Sequence, residues 1–115
     1  MTDRELLALA AKAAGLSVHY GNLPHQRDML FLDDGGEFSP EWNPITDDGD
    51  ALRLAVKLSI TVMPEPEAYP PCIVAVWYAG RLASENITEH QDRYAAARRA
   101  IVRAAAAAMA YREKP

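Results

Sequence analysis

Three carboxylates crowd one short stretch of this chain, at Asp47, Asp48 and Asp50. Hard divalent cations prefer such oxygen clusters, so a magnesium or calcium site is the first chemistry to weigh. The spacing does not follow the calcium-loop pattern, which needs ligands at alternate positions, a glycine and a distant glutamate. Helix capping accounts for every member. A helix start leaves backbone N–H groups free and carries the positive end of a dipole, and acidic residues serve both. Thr46 or Asp47 is placed to cap, Asp48 and Asp50 fall in the first turn, and Pro44 keeps Asn43 away from helical angles. Trp42, Asn43, Pro44, Thr46, Asp47, Asp48 and Asp50 therefore read as a structural motif, and capping outweighs metal binding.

The remaining reactive side chains are dispersed. His19, His25 and His90 show no i, i+4 pairing and no second cysteine joins Cys72, so zinc spacing is absent. Cys72 heads an apolar strand, where an inert thiol outweighs a Cys–His nucleophile pair. A single cysteine forms no intramolecular disulfide and suits a reducing compartment. The chain carries no phosphate-cradling glycine loop, nucleophile elbow or dinucleotide fingerprint. No cofactor, metal or catalytic residue is assigned, and the expectation is a protein that is not an enzyme.

Arg98, Arg99 and Arg103 crowd one side of the last helix and are the candidate nucleic-acid contacts. A terminal arginine-bearing helix beside a small antiparallel sheet resembles double-stranded-RNA-binding domains, although the extra internal helix and the missing lysine-rich helix start depart from them. The net charge of −4 and pI of ≈ 5.3 are a poor match to a phosphate backbone. A solvated face is the favoured reading of these arginines.

The elements that must position these groups follow from periodicity. Thr2 and Glu5 form a capping box for a helix over residues 2 to 14, and Gly15 suits the left-handed position after it. Strands are predicted at 16–20 and 28–32, then an irregular segment up to Ile45 and a helix at 47–58. Leu52, Leu54, Ala55, Val56 and Leu58 make that helix apolar nearly all round, which predicts burial on more than one side within the chain or against a partner subunit, with intrachain burial favoured. Strands follow at 59–63, 72–78 and 81–87, separated after the first by a proline-rich connector at 64–71, and a long helix spans 92–111. On that helix Tyr94, Ala97, Ile101, Ala104, Ala105 and Ala108 make one small-residue face. Phe38, Trp42, Tyr69, Trp77 and Tyr78 either build a contact surface or close the core beneath the long loop.

Helix, two strands, helix, three strands, helix is an α+β pattern with a mostly antiparallel sheet, in a single domain over 1–115. The strand at 72–78 is apolar on both faces, which predicts helices on both sides and a three-layer α-β-α sandwich. A two-layer sandwich is the alternative. No apolar run is long enough to cross a bilayer, and the acidic N-terminus lacks a signal peptide's pattern, so a cytoplasmic protein with no membrane partner is expected.

Three segments resemble a known family: Thr2–Leu7 with Ala10–Gly15, Trp42–Leu58, and Ala97–Ala106. They are similar to small bacteriophage and prophage proteins grouped as the phage ABA-sandwich domain. The resemblance covers the three helices and not the strands. It implies an α-β-α sandwich and a bacterial host cytoplasm, and brings no activity, ligand or catalytic residue with it. The functional expectation is a phage-encoded accessory protein that binds a phage or host protein or itself as a homodimer, with nucleic-acid binding as the alternative.

Overall fold

The last helix, Arg93–Glu113 (α3), is the element on which the fold is assembled. In a computed structural model that describes residues 1–33, 39–65, 67–76 and 82–113, it packs against Asp3–Ala13 (α1), Asp48–Leu58 (α2), Cys72–Val76 (β5) and Leu82–Asn86 (β6). Its alanines explain this. Ala96, Ala100, Ala104, Ala105 and Ala108 are fully buried, and side chains this small let neighbouring backbones come close on several sides. α3 thus buries far more of its circumference than a single small-residue face.

α1 begins with the expected capping box: the Glu5 amide donates to Thr2 Oγ1 at 3.2 Å, and the Thr2 amide donates to Glu5 Oε2 at 3.0 Å. Gly15 follows it in the left-handed region at φ +70°, where a side chain would be strained. Arg99 pairs with Asp3, while Lys12 pairs with Glu113 and Arg112 donates to the Ala13 carbonyl. These contacts fasten both ends of α1, which therefore runs parallel to α3.

Among the described residues, the strands form two antiparallel sheets, so the class is α+β. Sheet A takes Val18–Tyr20 (β1), Leu30–Leu32 (β2) and Glu41–Trp42 (β3) in the order β1-β2-β3. β3 lies within the segment expected to be irregular, and a 3-10 turn at Pro24–Gln26 lies between β1 and β2. Sheet B takes Thr61–Glu65 (β4), β5 and β6 in the order β4-β5-β6. β4 starts two residues later than expected and runs through Pro64 into the proline segment. Its edge position tolerates a residue whose missing N–H a central strand could not spare.

β5 is central, but only one of its faces is fully buried. Ile73 and Ala75 point to α3, whereas Cys72, Val74 and Val76 on the other face are half-buried. This alternation replaces the two-sided burial on which the three-layer expectation rested. A layered arrangement of helices and sheets is compatible with the packing, with α3 between α1 and α2 on one side and sheet B on another. Among the described residues no helix is long and apolar enough to cross a membrane.

Candidate protein-docking face

The stretch from Trp42 to Asp50 folds into a closed set of local bonds. Trp42 is buried at the end of β3 and Pro44 is fully buried beside it. Asn43 Oδ1 accepts the Ile45 amide at 3.0 Å, and the Asn43 carbonyl accepts the amides of Thr46 and Asp47 at 3.2 and 2.9 Å. Asp47, not Thr46, is the cap, accepting the Asp50 amide at 2.8 Å. Asp50 is only 7 % exposed, and its carboxylate accepts the Asn43 amide at 2.9 Å and the Arg53 guanidinium at 2.7 Å. A buried carboxylate needs such donors, and here it ties the loop to the helix it precedes.

Asp48 faces elsewhere, toward Arg98 of α3. Asp47 and Asp50 lie on either side of the Arg53 guanidinium, at 3.9 and 2.7 Å, while Asp48 points away from both. Among the described residues no three His, Cys, Asp or Glu side chains come together as metal ligands.

Arg98, Arg99 and Arg103 of α3 act as fasteners. Arg98 donates from Nε to the Ile45 carbonyl at 2.7 Å and from Nη1 to Asp48 at 2.6 Å, joining α3 to the start of α2. Arg99 reaches Asp3 at 2.8 Å. Arg103 contacts Glu85 and donates to the Ser84 carbonyl at 3.1 Å, joining α3 to β6. Glu85 is half-buried and also meets His90 Nε2 at 2.8 Å. A cleft of ≈ 500 Å³ between α1, α3 and β6 has Arg99, Arg103 and Glu85 on its walls, with both arginines already facing carboxylates.

A different surface is left unsatisfied. α2 buries Ala51, Leu54, Ala55 and Leu58, but Leu52 is 64 % exposed and Val56 is 72 % exposed. The intrachain burial favoured for this helix is therefore only half realised, because its position beside α3 covers one side of it. Leu52 and Val56 are one turn apart and share a face. Near Leu52, Tyr94 at the start of α3 is 64 % exposed. Leu52 and Tyr94 border a shallow groove of ≈ 250 Å³, floored by Ala51, Val62, Ala97 and Ile101, with Asp48 and Arg98 at one end. Two protruding aliphatics and a tyrosine beside a groove floored by small and branched side chains can accept and insert apolar groups.

One polar constellation was not visible from spacing. Asp33 accepts Ser17 Oγ at 2.7 Å and contacts His19 Nδ1, whose ring stacks on Phe31 at 5.8 Å. The Ser17 hydrogen bond first, and then the His19 hydrogen bond and charge, hold the Asp33 carboxyl below its usual range, while loss of solvation works the other way. Ser17 bonds Asp33 and not His19, so no hydroxyl is set up for deprotonation by the imidazole. This cluster fastens β1 to the end of β2. Cys72 is half-buried on the outer face of β5 and is a free thiol. Of the aromatics, Trp42 closes the core and Tyr69 is fully exposed, while Phe38, Trp77 and Tyr78 lie outside the described residues.

No family model matches the chain, and no curated protein or solved structure matches it.

Proposed function

We propose that this chain is a non-enzymatic protein-binding module of the phage accessory kind that its helices resemble, docking a phage or host protein, or itself, through the face of α2 and α3. The observation that carries this reading is the exposure of Leu52 and Tyr94 at an apolar groove, with Val56 exposed one turn further along α2. Soluble proteins that expose clustered apolar side chains next to a concavity use them for association, and aromatics recur as anchors in such surfaces. The nucleic-acid alternative draws less support. Arg98, Arg99 and Arg103 each face a carboxylate of the same chain, and freeing them for phosphate would break those pairs.

Photo-crosslinking tests the reading. A photoreactive residue at Leu52 is expected to capture a protein in the producing cell, whereas one at exposed Arg27, in the turn before β2, is not. Equal capture at both positions, or none at Leu52, overturns it.

A further inference from the structure

We infer that the cleft between α2 and sheet A binds a small monocarboxylate whose apolar body is one ring or a short branched chain. The cleft opens on the opposite side of α2 from Leu52 and Tyr94, so the inference does not depend on the docking reading. Its volume is ≈ 160 Å³, and Leu16, Leu32, Trp42 and Leu54 supply its apolar walls. Trp42 and Leu54 are buried, while Leu16 and Leu32 are half-buried. An apolar cavity of about 150 Å³ takes a molecule the size of benzene, and water finds too few polar partners in one to be held well. Drug-sized ligands need roughly 300 Å³ or more, which sets the upper limit on what fits.

Charge at the cleft selects the head group. Arg53 and Lys57 are one turn apart on α2 and both line it. Arg53 is already countered, with Asp50 at 2.7 Å and Asp47 at 3.9 Å from its guanidinium. Lys57 is exposed and, among the described residues, meets no carboxylate. No carboxylate side chain of the described residues lines the cleft. Hydrocarbon walls therefore stand beside one open positive charge, carried on a flexible stem that can follow a head group at the rim. A monocarboxylate with an apolar body uses both features. A neutral apolar molecule leaves Lys57 unused, and a cation is repelled by it. A phosphate ester brings more charge than one lysine answers and loses hydration against the hydrocarbon.

Leucine-methyl NMR of the full chain tests this, titrating phenylacetate to roughly 20 mM at fixed pH and ionic strength. The methyls of Leu16, Leu32 and Leu54 are expected to shift saturably, with a dissociation constant of about 1 mM or below. Phenylacetamide has the same shape without the charge and is expected to bind several-fold more weakly. Lys57→Met keeps an apolar stem at an exposed position, so circular dichroism stays native. It is expected to lower the affinity for the acid to that for the amide and to leave the amide unchanged. Added salt narrows the gap between the two ligands in the unaltered chain.

No saturable shift of these methyls with phenylacetate overturns the inference. Equal affinity for acid and amide overturns it as well, since the cleft is then merely apolar. A preference for the acid that survives Lys57→Met places the carboxylate elsewhere and is equally fatal.

Discussion

α2 and α3 invert what their compositions suggest. α2 holds the larger apolar side chains, with leucine at 52, 54 and 58 and valine at 56, yet it leaves Leu52 and Val56 in solvent. α3 carries arginines and alanines with no clear apolar stripe, yet it is the most thoroughly packed element. Side-chain size explains the difference. Alanine permits close approach from several directions, so α3 occupies the middle and is contacted by α1, α2 and sheet B. Leucine and valine hold neighbours further off, and α2 flanks α3 with one side covered and one open. A strongly apolar helix in a small domain is thus not automatically its core.

The sharpest way to break this comparison uses the same residue type on the two sides of α2. Leu54→Ala is expected to cost about 2–5 kcal/mol, because Leu54 is buried and its loss leaves a cavity, whereas Leu52→Ala stays within about 0.5 kcal/mol for the monomer. Denaturant midpoints of the two variants check it, and equal losses would mean that Leu52 is covered within the chain. The next effect probes α3. Ala104→Leu overpacks a fully buried site and is expected to cost about 1–3 kcal/mol, while Ala107→Leu projects into the open cleft beside α1 and is tolerated. Similar thermal midpoints for these two would show that α3 is not packed on its small residues.

The smallest expected effect concerns the joint between the two helices. Arg98→Ala strips the Ile45 carbonyl of its donor and is expected to cost about 1–2 kcal/mol. Asp48→Asn removes only the exposed partner of the same arginine and is expected to stay within about 0.5 kcal/mol. A double-mutant cycle with a small coupling would place the weight of the joint on the carbonyl. A large coupling would place it on the ion pair.

Much of the local structure was legible because its causes lie within a few residues. Thr2 and Glu5 cap α1, Gly15 takes the left-handed position, and Pro44 and Asp47 set the start of α2. The antiparallel pairing of β5 with β6 likewise agrees with the mostly antiparallel sheet expected of the strands at 72–78 and 81–87. What escaped depends on partners far along the chain. Asp33 meets Ser17 and His19 only because β1 pairs with β2 in the register Val18↔Leu32. Ser59 ends α2 at φ 56°, a left-handed position that no glycine announced.

The candidate face divides along the same line. Leu52, Val56 and Tyr94 were legible as apolar members of helices, but their exposure was not, since periodicity states which residues share a face and not what lies opposite it. The sequence by itself determined the starts of α1 and α2, the α+β class and the net charge of −4, all properties of near neighbours or of the whole composition. The tertiary structure alone decided that the six strands among the described residues separate into two sheets, that Arg98, Arg99 and Arg103 are fasteners, and that α3 rather than α2 is the centre. Burial is a property of two surfaces meeting, and a one-dimensional pattern supplies only one of them.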